Sequence, residues 1–289
     1  MTLRVATFNL KSTGLGFGNH SWKHRREMLR DAFRELDTDL VGVQELTPIM
    51  KVYFEHEIAD YNFVGLGRGG FVFNEHSDIA VRNGIKIAFE STFPLSKNRS
   101  GRLISMRYPL SWIFPRICTV AELSFGGRRF RMFNTHLDVS SETARMLQLR
   151  IVCRRIAELN SKDPLPTILT GDFNATPDSR TIKLLESLDL PKLTSVADTV
   201  GGTFHFFRGK EPGMRLDHVF ASPEFTEVSC EIVRHSWNGH YPSDHYPLLV
   251  TLNLGEPDET PQKGCEALDS QAGKIKFRTP FDRPETAET

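Results

Sequence analysis

The chain has 289 residues, 39% of them hydrophobic and 25% charged, with 36 basic and 36 acidic side chains. This composition excludes a disordered chain and leaves room for one large domain or two small ones. A formal net charge of zero excludes a global field that would draw the protein onto nucleic acid or anionic membrane, while a local basic groove stays open.

No apolar run approaches the roughly 20 residues of a membrane span, and Met1-Thr2-Leu3-Arg4 leads into a strand without a signal-peptide core. Cys118, Cys153, Cys230 and Cys265 stand far apart, with no CxxC pair and no zinc spacing. A cytoplasmic protein with free thiols is expected.

Leu3 to Leu10 reads as a strand carrying Asn9 at its end, followed by a glycine-rich loop. Ser21 then opens a helix whose apolar stripe runs through Trp22, Leu29, Phe33 and Leu36, with Arg25 or Arg26 on the same side. A cation on a buried face calls for an acidic partner. Asp39 to Glu45 is almost wholly apolar before its last two residues, as suits a strand covered on both faces. The first unit is thus strand, helix, strand, with Asn9 and Glu45 at matching ends.

A helix around Ile49 to Ala59 follows, then strands near Tyr61 to Gly65 and Ile79 to Phe89, joined by a loop containing Gly67-Arg68-Gly69-Gly70. Between Ser91 and Ala121 the chain carries Lys97, Arg99, Arg102, Arg107 and Arg116 and no acidic residue, interleaved with Tyr108, Trp112 and Phe114. A solvated loop, a phosphate-facing rim and a lipid-touching surface are the three readings. Basic and aromatic residues without acids favour the rim.

Val120 to Phe125 and Arg129 to Phe133 form a hairpin about Gly126-Gly127, and its second strand runs on to His136. Ser140 or Ser141 caps a helix to about Leu159, with Arg145 on its apolar stripe. The next strand ends in Thr170-Gly171-Asp172-Phe173-Asn174, which alone is equally an Asx turn or half of a site. Strand to His136, helix, strand to Asp172 repeats the first unit. Two such units predict two sheets packed face to face with one site shared at their edge.

A helix from about Asp178 to Leu188 leads to Gly201-Gly202-Thr203-Phe204-His205. Strands are expected at Arg215 to Phe220, Ser229 to His235 and Leu248 to Leu254, with Ser243-Asp244-His245 opening the last. From Gly255 onward apolar residues are few, so residues 1–254 are expected to form the domain and 255–289 a polar, disordered tail.

Asn9, Glu45, His136, Asp172, Asn174, Asp217, Asp244 and His245 therefore gather at strand ends. Hard oxygen donors such as Glu45, Asp244 and Asn9 suit Mg²⁺ or Mn²⁺. The histidines suit proton transfer or a bond to phosphate, and Asp217 is placed to orient His245.

Six motifs, Thr7-Phe8-Asn9, Val43-Gln44-Glu45, Asn134-Thr135-His136-Leu137, Thr170 to Asn174, Leu216-Asp217-His218-Val219-Phe220 and Pro242-Ser243-Asp244-His245, stand in the order seen in the endonuclease/exonuclease/phosphatase family. The resemblance covers about residues 3–254. It implies a four-layer αββα sandwich of two mostly antiparallel sheets flanked by helices. It also implies a metal-dependent phosphoesterase that cleaves by in-line water attack with Mg²⁺ or Mn²⁺. By motif, Glu45 is the main metal ligand with Asn9 and Asp244 nearby, and Asp172 and Asn174 position the water and a phosphate oxygen. His245, held by Asp217, is base or phosphate ligand, and His136 stabilises the developing charge.

Leu10 after Asn9, and Leu46-Thr47-Pro48 after Glu45, depart from the apurinic endonucleases and disfavour base-excision repair. Other stretches are similar to a bacterial branch of metal-dependent hydrolases, which places Arg116 and Arg145, and less directly His205, against the substrate. The expected substrate is a phosphodiester of a small molecule or lipid headgroup. DNA or RNA is the alternative, and a non-catalytic phosphate-binding scaffold is the alternative of another class.

Overall fold

The inner face of β1 (Thr2–Asn9) carries Leu3, Val5, Thr7 and Asn9 in turn, while Ala6 and Phe8 face the other way. This period-2 pattern, apolar at one end and polar at the other, recurs in the central strands and sets both the core and the site. In a computed structural model, residues 1–69, 74–96, 115–188, 191–197, 201–209 and 213–255 are described. Lys97, Arg99, Arg102, Arg107, Tyr108, Trp112, Phe114, Cys265 and the expected tail from 256 onward lie outside them.

The first sheet contains β1, β2 (Leu40–Gln44), β3 (Tyr61–Val64), β4 (Ile79–Arg82), β11 (Phe225–Ile232) and β12 (Leu248–Leu254), ordered β11-β12-β1-β2-β4-β3. The second contains β5 (Lys86–Pro94), β6 (Ile117–Phe125), β7 (Arg128–His136), β8 (Thr167–Asp172), β9 (Thr194–Ser195) and β10 (Asp217–Ala221), ordered β5-β6-β7-β8-β10-β9. Each sheet has a parallel pair at its centre, β1 with β2 and β7 with β8, and antiparallel pairings elsewhere. The repeated unit expected from sequence is therefore the middle of each sheet.

Helices α1 (Trp22–Leu36) and α3 (Glu142–Lys162) make the two parallel crossovers, joined by α2 (Pro48–Glu57) and α4 (Arg180–Glu186). Ser141 caps α3 by accepting a hydrogen bond from Ala144 N, and Asp163 ends it ahead of Pro164. Three apolar layers result. Leu3, Val5, Ile79, Phe130, Met132 and Ile168 fill the space between the sheets. Phe8, Val41 and Val43 meet Leu29, Phe33 and Phe54 on one outer face, and Phe133, Leu169 and Phe220 meet Leu149, Val152 and Ile156 on the other. The four-layer αββα sandwich is the fold.

One expected strand, Ile79 to Phe89, is two. Asn83 and Gly84 turn the chain, Gly84 with φ 97°, and send β4 and β5 into different sheets. The Asn-Gly pair is itself a turn signal, standing between two apolar runs that otherwise read as one strand.

Candidate active site

Four hydrogen-bonded polar side chains lie between the sheets where the inner faces turn from apolar to polar. Gln44 Nε2 donates to Thr7 Oγ1 at 3.0 Å and to Asn134 Oδ1 at 2.7 Å, and Thr170 Oγ1 donates to Asn134 Oδ1 at 3.1 Å. All four are fully buried. Gly42 allows the approach, because a Cβ there would lie 2.3 Å from Thr170 Oγ1 and 2.5 Å from Asn134 Oδ1.

Two residues further along the same strands stand Asn9, His136 and Asp172. Registry puts His136 opposite Asp172 and Asp172 opposite Asp217, so three neighbouring strands present their ionisable groups side by side. Asn9 closes the gap between the sheets: its Nδ2 donates to Asp172 Oδ2 at 2.9 Å and to Glu45 Oε1 at 3.1 Å. Strand alternation would send Glu45 to the helix side after Gln44. Its left-handed φ of 57° returns it to the seam, where Oε2 also accepts Ser12 N at 2.8 Å.

His245 Nδ1 lies 2.7 Å from Asp217 Oδ2, and its Nε2 lies 3.8 Å from Asp172 Oδ2. His136 Nε2 approaches the same Asp172 oxygen at 3.5 Å. Asp172 Oδ1 accepts Asn174 N at 2.8 Å, and the Asn174 amide donates to Leu137 O. Ser243 seats the last motif by donating to Asn9 O at 2.6 Å. Asp244 Oδ2 pairs with the Lys11 ammonium at 3.0 Å.

Burial pulls the His245 imidazole down, but the carboxylates of Asp217, Asp172 and Asp244 outweigh it and raise its pKa to about 10. Burial and the Asp217 charge push Asp172 up to about 7. Burial, with Arg116 and Arg68 nearby, holds His136 well below the usual histidine range, so it is neutral. One carboxyl poised near neutrality thus faces one imidazolium and one neutral imidazole.

Two groups have donors suited to a cation. Ligand atoms of Asp172, Asp217 and His245 lie within 4.8 Å of one another, although the Asp217–His245 bond already occupies one donor of each. Glu45 and Asp244 offer hard oxygens on the other side, and Lys11 stands in for a cation there, its ammonium stabilised against burial by both carboxylates. A carboxylate with one N–H on each oxygen keeps lone pairs for an ion, so Glu45 fits Mg²⁺ or Mn²⁺. Asn9 Oδ1 accepts Lys11 N at 3.0 Å and keeps a second lone pair.

The other expected residues lie around this centre. Arg145 donates to Asp138 O at 3.0 Å and feels the Asp172 charge. Arg116 lines a cleft with His136. The His205 ring stacks on Tyr246 at 3.8 Å, the backbone N–H of His205 donates to Asp244 O at 2.9 Å, and the ring Nε2 is buried without a hydrogen-bond partner among the described residues. Arg25 corrects an expectation, because its buried guanidinium is not matched by a directly bonded acid. Its five N–H groups go to the carbonyl oxygens of His20, Leu10, Pro242, Lys11 and Ser12. Sequence reasoning gave no role to Lys11, Arg68 or Glu75. The glycine-flanked Arg68 between two strands was the available signal for one of them.

The model of the Endonuclease/Exonuclease/phosphatase family matches residues 6–245. A comparison with curated proteins finds no match. Among solved structures, an endonuclease/exonuclease/phosphatase family protein of Bacteroides thetaiotaomicron is similar at 26% identity over 88% of this chain and 98% of that one, with a TM-score of 0.78. A mannosyl-6-phosphatase of the same species is similar at 25% identity, covering 87% and 99%, with a TM-score of 0.76. D. rerio TDP2, complexed with a single-strand DNA product, shares the fold at 19% identity, 87% and 99% coverage and a TM-score of 0.67. With six ordered motifs, two matched sheets and a family model spanning both, the chain belongs to the Endonuclease/Exonuclease/phosphatase family of phosphoester hydrolases.

Proposed function

We propose that this protein is a Mg²⁺- or Mn²⁺-dependent phosphoesterase that hydrolyses a small phosphate ester by in-line attack of water. The observation that carries the reading is Asp172, poised near neutrality between His136, His245 and the Asn9 amide that ties it to Glu45. Its raised pKa suits a carboxylate that takes a proton from attacking water near pH 7. His245, kept charged by Asp217, is then a phosphate ligand rather than the base. Neutral His136 donates a hydrogen bond to the developing charge, and Asn174 holds a phosphate oxygen.

Glu45 is the principal metal ligand in this reading, with Asp244 and Asn9 beside it. A bound divalent ion supplies Lewis-acid polarisation of the phosphate. Arg116 and Arg145 add positive charge, and His205 lies behind Asp244. Zero net charge supports a small ester over DNA or RNA. The likeness to a mannosyl-6-phosphatase supports monoesters alongside the diesters expected from sequence. The presence of every motif residue supports an enzyme over a scaffold. Residues 1–254 form the catalytic domain in this reading, 255–289 are a polar tail, and the free thiols of Cys118 and Cys153 support a cytoplasmic setting.

A panel of phosphate esters assayed with Mg²⁺ or Mn²⁺ tests the reading. Activity is expected to vanish with EDTA and to fall about 10²–10⁴-fold in Asp172→Ala. Undiminished hydrolysis by that variant would sink the proposal.

A further inference from the structure

Arg25 stands outside the six motifs, in α1, and is fully buried. Its Nε donates to His20 O at 2.8 Å, its Nη1 to Leu10 O at 2.8 Å and Pro242 O at 2.7 Å, and its Nη2 to Lys11 O at 2.7 Å and Ser12 O at 3.4 Å. The centroid of the Phe207 ring lies 5.9 Å from the guanidinium carbon, and the same ring stacks on His20. Every donor of the fork is used, and separate stretches of chain close on one side chain.

Those stretches carry the contacts of the expected ion ligands. Ser12 N donates to Glu45 Oε2 at 2.8 Å and Lys11 N to Asn9 Oδ1 at 3.0 Å, while the Lys11 ammonium pairs with Asp244. Pro242 immediately precedes Ser243, whose hydroxyl ties the last motif to Asn9 O at 2.6 Å. The backbone N–H groups of His205 and Phe206 donate to Asp244 O at 2.9 and 3.2 Å, and Phe207 follows them in the chain. Phe206 and Phe207 hold left-handed φ of 54° and 59°, which non-glycine residues keep only where their surroundings impose it.

The bonding partners of Arg25 decide what its charge does. A directly bonded carboxylate would neutralise it, whereas carbonyl oxygens satisfy the N–H groups and leave the net charge in place. Burial pulls the guanidinium pKa down to about 10, with Asp244 and Glu45 opposing the shift, so the group stays charged at neutral pH. Glu45 and Asp244 repel each other, and Lys11 and Arg25 offset that repulsion. The Lys11 side chain is 21% exposed and free to swing, while Arg25 is fixed by its fork.

We propose that Arg25 is a positioning residue for the metal half of the site, its fork fixing the Leu10–Ser12 and Pro242 stretches in the arrangement that holds Asn9, Glu45 and Asp244 ready for a divalent ion. The assignment rests on the reading of those three residues as ion ligands and deepens it. A lysine carries its three donors on a single nitrogen and cannot span the segments that a planar five-donor fork joins. Charge alone therefore does not replace Arg25.

The test measures Mn²⁺ binding by calorimetry in the full-length protein and in Arg25→Lys, with Leu29→Ala as a control. Leu29 lies one turn further along the buried face of α1, and its truncation opens a cavity under the same helix and lowers Tm while leaving the Arg25 fork intact. Arg25→Lys is expected to weaken Mn²⁺ binding about 10–100-fold, and Leu29→Ala to bind Mn²⁺ as the parent does. Parent-like affinity in Arg25→Lys overturns the inference, as does an equal loss in both variants, which a loosened helix alone would produce. A parent protein that binds no Mn²⁺ overturns the metal reading itself, and the inference with it.

Arg25→Ala supplies a second measurement that does not depend on how lysine is accommodated. Guanidinium, at concentrations far below those that denature, is expected to restore part of the lost Mn²⁺ affinity, and ammonium at equal ionic strength is not. An equal response to the two cations overturns the role of the fork.

Discussion

Asp217 Oδ2 and His245 Nδ1 lie 2.7 Å apart with both side chains sealed from solvent. In the folded protein this bond decides which imidazole of the site is charged.

Replacing Asp217 by Asn removes the strongest counter-charge and leaves Asp172 and Asp244 to oppose burial. The His245 pKa is expected to drop from about 10 toward its ordinary 6.5, read from the ring-proton NMR titration. Hydrolysis should fall about 10²–10⁴-fold. The sign for stability follows from linkage: a folded pKa above the unfolded value means that this group's contribution is complete below pH 6.5 and is lost as pH rises toward 10. A variant in which His245 still titrates near 10 would remove Asp217 as the cause.

Gly42→Ala should strain the seam between the sheets, because the new methyl meets Thr170 Oγ1 and Asn134 Oδ1 well inside contact distance. Overpacking of this kind costs about 1–3 kcal/mol, and thermal denaturation should show a Tm lower by about 2–4 °C per kcal/mol. Thr170→Ala in the same chain removes the nearest atom and should recover part of the loss. Additive effects in that double-mutant cycle would show that the two sites do not touch.

Lys11→Met tests the ammonium that pairs with Asp244 and feels Glu45. If it competes with a divalent ion for those carboxylates, its removal strengthens Mn²⁺ binding about tenfold or more by calorimetry. Weaker binding in Lys11→Met would mean that the lysine supports the ion rather than opposing it.

Much of this site was legible along the chain because strand alternation is strict. Leu3 and Val5 followed by Thr7 and Asn9, or Met132 followed by Asn134 and His136, announce an inner face that changes from core to chemistry. The parallel units were readable for the same reason, since each is local. What stayed hidden depends on distant approach. Arg25 on an apolar stripe implied an acid, but only the fold brings Pro242 O within 2.7 Å of it. Glu75 and Arg68 sit in irregular chain, where periodicity carries no information, and only the fold brings Arg116 to the cleft they line. The turn at Asn83-Gly84 was legible in the Asn-Gly pair itself; what the sequence withheld is that the strands on its two sides join different sheets.

β1 lies between β2 and β12, so its second edge is covered only by a strand that begins at Leu248. During synthesis, the innermost strand of the first sheet waits for nearly the whole domain with one row of amide and carbonyl groups unpaired. Asp244 and His245 arrive just ahead of that closing strand. The docking of β12 thus ends the period in which the nascent chain is open to edge-to-edge aggregation, and it brings the last two polar groups to the site, so assembly of the reaction centre coincides with completion of the sheet.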